Sequence, residues 1–237
     1  MPYYGYYGFF YDPTYILVLI GILLTVFASV KVNSTYSKYA RVRSMSGMTG
    51  AEAAQRILWN AGIQDVRIEH VRGSLTDHYD PSAKVLRLSD ATYGSNSVAA
   101  VGVAAHECGH ALQHKEGYAP LSIRSALVPA ANIGSRLGVP IILLGLLFGS
   151  GGILINIGIW VFSLSVLFQV VTLPVEFNAS SRAMKMLEGY GILGGQELSQ
   201  CRKVLSAAAL TYVAAAAASL LQLLRLVLLF GGRRDDD

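Results

Sequence analysis

His106 and His110 lie four residues apart, with Glu107 between them. On a helix this spacing puts both imidazoles on one face, with Cβ atoms ~5–6 Å apart, so one Zn2+ ion can take a nitrogen from each. Glu107 then addresses a water held by the ion. Zinc lowers the pKa of such a water from ~16 toward 7, and the carboxylate can take its proton. The implied chemistry is hydrolysis with Glu107 as the base. It needs a third protein ligand and leaves the fourth position for water or substrate. The run Ala99 to Ala105 (AAVGVAA) before the motif is built of small residues. Gly102 and Gly109 cost helix propensity, which points to close backbone packing around the motif.

The third ligand is open at this level. A metzincin would place a glycine and a histidine where this chain has Gln113 and Glu116, so that class fails. His114 lies one turn beyond His110, but three ligands in a row on one helix rarely close a tetrahedron. It reads as a group that orients a ligand or faces solvent. The remaining candidates are Glu116, Glu176, Glu188 and Glu197. Membrane topology favours Glu176: if the motif is cytoplasmic, residues 126–173 cross outward and back, and Glu176 emerges on the same side as His106. A helix over residues 175–183, after Pro174, would aim Glu176 inward, with Asn178, Ser180 and Arg182 placed to orient ligands or bind substrate.

The composition describes what carries this motif. Of 237 residues, 53% are hydrophobic and only 14% charged, against about a quarter charged in soluble domains. The shortfall is concentrated in uncharged tracts, as in an integral membrane protein. The net charge of +4 is mild, and the basic residues sit at the ends of apolar tracts, which excludes a nucleic-acid footprint and reads as a topology signal. Two cysteines, Cys108 and Cys201, form no paired framework, which argues against a disulfide-stapled secreted chain.

The first span is predicted over residues 14–30, followed by Lys31, Lys38, Arg41 and Arg43 with no acid among them, which places that end in the cytoplasm. With no basic residue ahead of it, this reads as an uncleaved anchor, with Tyr3, Tyr4, Tyr6, Tyr7 and Tyr11 as interfacial aromatics. Thr49 and Glu52 form a capping box that opens a helix with Ala51, Ala54, Ile57, Leu58 and Ala61 on one face, ended by Gly62. Val66, Ile68 and His70 alternate as one face of a strand. Residues 73–81 read as a turn-rich connection, and residues 84–88 as a second strand. Ser97 is in a segment that caps a long helix over residues 98–115. Residues 138–173 carry no charge and are too long for one span at ~20 residues each, so Gly149 to Gly152 is read as a turn between two spans. The earlier one extends back toward Ala126, with Pro129 and Pro140 as kinks and Arg136 snorkelling or facing protein. The last span is predicted over residues 204–230, with Arg225 near its far end and a polar tail.

The combination AHECGHALQH, TDHYDPSAKVLRLS and LPVEFNASSRAMKML resembles the bacterial YugP-type membrane zinc metallopeptidases, and more distantly the HtpX group of gluzincins, over nearly the whole chain. The resemblance implies that His106, His110 and Glu176 bind zinc and that Glu107 is the catalytic base. HtpX-like proteins carry an aspartate four residues after the ligand glutamate, where this chain has Ser180. In peptidases of this kind an edge strand before the motif helix pairs with extended substrate. Residues 84–88 are a candidate for that strand, and equally for an ordinary core strand.

The expectation is thus a mostly α-helical integral membrane protein with a small α+β zincin-like cytoplasmic domain and about four transmembrane helices. The boundaries are a membrane anchor over 1–34, a catalytic segment over 35–125, two spans over 126–174, a ligand-bearing helix and connection over 175–203, and a last span with tail over 204–237. The expected function is a Zn2+-dependent metalloendopeptidase of the bacterial cytoplasmic membrane, active-site side cytoplasmic. It would act on peptide or protein substrates in or near the bilayer, as in membrane-protein quality control. Asp77, His78 and Tyr79 are placed to polarise the scissile carbonyl or to shape a turn; His78, Tyr79 and Arg182 are the expected substrate contacts, and Asn178 and Ser180 the residues that orient ligands. The ligand set would also accept cobalt or manganese. A homo-oligomer or a regulatory membrane partner is compatible with such a chain. An intramembrane protease is disfavoured, because the motif helix offers ~16 moderately apolar residues, short of a span. A non-enzymatic zinc scaffold or adaptor is the alternative, distinguished by whether Glu107 is needed.

Overall fold

The structure is a computed structural model and describes residues 12–148 and 151–231. The five N-terminal tyrosines, Gly149 and Ser150 of the expected turn, and the tail with Arg233, Arg234 and Asp235 to Asp237 lie outside the described residues. Element order is α1 (Tyr15–Tyr39), α2 (Gly50–Asn60), β1 (Arg67–Val71), β2 (His78–Asp80), β3 (Val85–Ser89), α3 (Asp90–Tyr93), α4 (Val98–Lys115), α5 (Ala119–Leu147), α6 (Gly151–Gly189) and α7 (Gly195–Phe230). Of these, α1, α5, α6 and α7 are long and apolar enough to cross a membrane. The fold expectation of a mostly helical chain with about four such helices and a small sheet holds.

The chain divides into two compact units. One comprises residues 28–125 and 171–212. Its core gathers α2, the sheet, α4, the later part of α6 and the first part of α7 around Ile57, Leu58, Leu86, Val101, Leu187 and Ile192. Each such aliphatic side chain contributes roughly 1.5–3 kcal/mol relative to an exposed one. Helix α2 starts at the expected capping box: Thr49 accepts from the Glu52 backbone N–H, and the Glu52 carboxylate accepts from Thr49. Its C-terminal turn is followed by Gly62 at φ +65°, a conformation glycine adopts without steric cost.

The sheet has the order β1-β3-β2, with β1 parallel and β2 antiparallel to β3. Three expectations change here. The connection over residues 73–81 contains a strand, β2, because Asp77 accepts from both the backbone N–H and the hydroxyl of Ser89 (2.8 and 2.9 Å) and pins the loop against the end of β3. The strand β3 is central and buried at four of its five residues, so it is a core strand whose two edges are both used. His70 is exposed rather than inward, since its ring bonds the Asp90 carboxylate at 2.6 Å.

The other unit comprises the described residues 12–27, 126–170 and 213–231. Close packing of α5 against α6 depends on small residues. A Cβ added at Gly134 would meet the Val161 carbonyl at 2.5 Å, and one at Gly138 would meet the Phe162 Cβ at 2.8 Å. Backbones approach this closely in membrane helix pairs where small residues recur every four positions. Ile142, Ile155 and Leu226 form the interior, while Leu23, Phe27, Leu147 and Trp160 lie outward and exposed, as on a lipid-facing surface. Arg225 pairs with Asp12 at 2.8 Å and lies over the Tyr15 ring, which gives this cation near the end of an apolar helix its partners. Arg136 is exposed, in keeping with snorkelling.

Three helix boundaries also differ from expectation. Helix α1 continues past Lys31 to Tyr39, and α5 begins at Ala119. Helix α6 runs unbroken through Pro174, where a break between span and ligand-bearing helix was expected. A mid-helix proline removes one backbone bond and costs ~3 kcal/mol or more. The burial of Val175, Glu176 and Ala179 directly after it supplies packing that offsets that cost.

Candidate metal centre

Helix α4 begins at Ser97, whose hydroxyl accepts from the Ala100 N–H, and presents His106, Glu107 and His110 within its last three turns. Helix α6 brings Glu176 opposite them. The Glu176 Oε2 lies 3.2 Å from His106 Nε2 and 3.6 Å from His110 Nε2. The imidazole centroids are 4.8 Å apart, with the rings nearly perpendicular. One ligand atom from each of the three residues falls within 4.8 Å of the others. Glu176 is 2% and His110 8% exposed, so a carboxylate and two imidazoles converge in a nearly water-free place.

The close approach of the two helices has a steric cause. A Cβ on Gly109 would stand 2.5 Å from the Ala179 carbonyl, and one on Gly102 would stand 2.6 Å from the Cys201 sulfur. The two glycines thus let α6 and α7 pack directly on the motif helix, in line with the expectation from helix propensity.

Hydrogen bonds fix the chemistry of each nitrogen. The Gln113 amide donates to the Val175 carbonyl (2.8 Å) and to Asn178 Oδ1 (2.9 Å), so its oxygen faces His110 Nδ1, 3.0 Å away. His110 Nδ1 must therefore carry a proton, so Nε2 is the nitrogen turned to Glu176 and available to a cation. Ser180 Oγ lies 3.1 Å from His106 Nδ1 and allows the same tautomer there. Burial pulls the His110 imidazole toward neutrality, but the Glu176 hydrogen bond and the charges of Glu107 and Glu176 outweigh it and raise its pKa. The site favours a positive charge. Two nitrogen lone pairs and one carboxylate oxygen, spaced much as ligands ~2.0–2.1 Å from one ion would be, suit zinc.

Glu107 is buried (8% exposed), and its Oε2 accepts the backbone N–H of Tyr79 at 3.0 Å. Residue 79 thus meets the site through its main chain. Its phenol turns away to His114 Nδ1, 2.8 Å distant, and burial, with Asp65 and Asp80 nearby, pushes that phenol up to about 12. His78 is exposed and bonds the Thr76 carbonyl and Arg87. Arg182 donates to Asn178 (2.6 Å) and pairs with Glu116 (2.5 Å), while Asn178 reaches His110 only through Gln113. Of the other glutamates, Glu197 accepts from the Met45 N–H, and Glu188 is exposed.

Three residues beside the site were not anticipated in that role. Gln113 lies three residues beyond His110, on the same helix face, and that spacing was the available signal. Arg124, near the start of α5, lies 3.5 Å from Glu176 Oε1. Tyr212 on α7 lies near enough to Glu176 to interact with it electrostatically, and no local pattern connects it with α4.

Fold and site together describe a helical membrane chain in which two histidines and one glutamate, a set that could hold a metal ion, converge beside a small sheet. Residues 14–231 match the family model described as "Putative neutral zinc metallopeptidase", and the chain belongs to that family. It is similar to the "Putative membrane protease YugP" of Bacillus subtilis (strain 168), 49% identical over 198 residues that cover 84% of this chain and 88% of the relative. No solved structure matches it.

Proposed function

We propose that this chain is a membrane-bound zinc endopeptidase that cleaves peptide bonds of membrane or membrane-proximal proteins. The observation that carries the proposal is the convergence of His106, His110 and Glu176, with Glu107 held beside them by the Tyr79 N–H. The three converging residues would hold the zinc, which when bound polarises a carbonyl and lowers the pKa of a water to about 7. Glu107 accepts the proton of the attacking water and returns it to the departing amine. The Tyr79 N–H occupies one of its oxygens, which leaves the other to do this work. Arg124 neutralises the outer oxygen of Glu176 and keeps Oε2 turned to the histidines, and Tyr212 supplies a hydroxyl donor near the same carboxylate. Both are candidates to stabilise the oxyanion of the tetrahedral state.

Substrate backbone pairs with β2. In the sheet order β1-β3-β2, β2 has one edge without a strand partner among the described residues. The Tyr79 N–H points from that edge to Glu107, and the carbonyl of the same residue shares its direction. An extended peptide added there lies beside the base. The basic residues Lys31, Lys38, Arg41, Arg43, Arg182 and Lys185 support a cytoplasmic site by the positive-inside rule.

The test is zinc content per chain together with peptidase activity, for the wild type, Glu107→Gln and Glu176→Ala. The expected pattern is one zinc in the wild type, zinc without activity in Glu107→Gln, and loss of zinc in Glu176→Ala. Full occupancy in Glu176→Ala would move the third ligand elsewhere. An unimpaired Glu107→Gln would favour a non-enzymatic scaffold.

A further inference from the structure

Within the unit of residues 28–125 and 171–212 lies a cleft of about 720 Å3, away from the histidines, lined by the end of α1 and the start of α7. That volume falls in the range of small-molecule sites, about 300–1,000 Å3. On α1 the lining recurs as Lys31, Ser34, Thr35 and Lys38, positions that share one helical face. On α7 Lys203, Ser206, Ala207 and Leu210 recur at the same spacing, with Arg202 beside them. Four cations thus line one hollow with the hydroxyl-bearing Ser34, Thr35, Tyr39 and Ser206, and no acid lines it.

These cations have been left unneutralised. Lys31, Lys38, Arg202 and Lys203 are exposed, and among the described residues none of them forms an ion pair with a carboxylate. In the same unit Arg56, Lys84, Arg87, Lys115 and Arg182 have an oxygen partner, while Arg41, Arg43, Arg72 and Lys185 have no side-chain carboxylate partner among the described residues. What sets the four apart is that they converge on one hollow. Gathering four like charges is unfavourable unless an anion compensates them. A topology signal alone asks only that the charges lie on one side of the membrane; it does not ask that they converge on a cavity with hydroxyls between them. The floor is rigid, since Tyr39 is packed with Ala99 and Val204. The apolar run of α1 ends at Val30 and that of α7 begins at Val204, so the cleft lies where two candidate spans pass from charged to apolar residues.

We infer that this cleft binds the phosphate headgroup of an anionic phospholipid, with Lys31, Lys38, Arg202 and Lys203 as the charge partners and Ser34, Thr35 and Ser206 as hydroxyl donors. Basic pockets at the ends of membrane helices hold such headgroups through this chemistry. A free phosphate offers similar anionic oxygens but no acyl chains, and the apolar neighbours at the cleft, Ala207 and Leu210, favour the lipid. The inference is independent of the zinc site.

The experiment uses the purified full-length chain in neutral detergent, incubated with phosphatidylglycerol or with phosphatidylcholine, and counts retained lipid by native mass spectrometry. The expected result is retention of phosphatidylglycerol over phosphatidylcholine, weakening with salt. Retention falls about tenfold or more in Lys31→Gln/Lys38→Gln and again in Arg202→Gln/Lys203→Gln. The swap Arg202→Lys/Lys203→Arg keeps the charge and retains the lipid, which separates lost binding from lost folding. Equal retention in the charge-removing variants overturns the inference. An equal loss in Arg72→Gln/Lys185→Gln, outside the cleft, also overturns it and assigns the effect to diffuse charge. Displacement of bound lipid by inorganic phosphate at matched concentration would mean that the cleft takes free phosphate, and the lipid assignment would fall.

Discussion

At the scale of single residues, the centre depends on groups that never touch a cation. His110 presents Nε2 because Gln113 takes the proton on Nδ1, and Gln113 can do so because its amide hydrogens are spent on Val175 and Asn178. Removing such an orienting partner costs about 10–100-fold in metal affinity. Gln113→Leu is therefore expected to weaken zinc binding by that factor, measured by competition with a chromophoric chelator. Ser180→Ala is expected to have the smaller effect. A serine hydroxyl can rotate away from His106, and water can take its place at this less buried ring; a wild-type affinity in Gln113→Leu would break the argument. The His-Glu-x-x-His spacing was legible because it is local, and so was the placing of Ser180 one helical turn after Glu176, where its hydroxyl lies 3.1 Å from His106. The roles of Arg124 and Tyr212 were not legible, since their helices meet the site only through tertiary packing. His78 and Arg182, expected as substrate contacts from polar type and position, bond protein groups here: His78 the Thr76 carbonyl and Arg87, Arg182 Asn178 and Glu116.

At the scale of elements, the two glycines on α4 set how near α6 and α7 can come. Gly109→Val places side-chain atoms where the Ala179 carbonyl stands, so the helices must separate and Glu176 must retreat from the histidines. Overpacking of this kind costs about 1–3 kcal/mol. We expect a lower unfolding midpoint in detergent and reduced zinc content. A value at Gly47, where a Cβ meets nothing within 4 Å, provides the comparison, although its φ of +68° argues for measuring that site as Gly47→Asn. Most helices were legible from capping and apolar period. Strand β2 was not, because three residues between turn formers carry no alternation, and only the Asp77 tie to Ser89 makes them a strand. The continuity of α6 was hidden by Pro174, whose local preference is overridden by the burial of the next turn.

At the scale of the whole molecule, the membrane-type composition foretold spans but left Arg225 as a conflict. Its pairing with Asp12 resolves it, and side-chain exposures of 14% and 11% show both groups sheltered. Breaking such a pair from one side strands a charge, whereas replacing both members removes the need for either. Arg225→Leu alone should therefore lower the thermal midpoint in detergent more than Asp12→Asn/Arg225→Leu does. If the double variant is no better than the single, the two residues do not act together.

The cysteines noted at the outset have a practical meaning. Cys108 is fully buried, and both burial and the nearby Glu107 charge push its thiol far above the usual range; Cys201 is equally enclosed, its sulfur against the bare face of Gly102. Neither offers a thiolate to a reagent in water. The native chain is in effect a silent background for maleimide chemistry. A single cysteine placed at an outlying position such as Met45, which is 91% exposed, would report from its own side of the bilayer without the wild-type thiols first being removed.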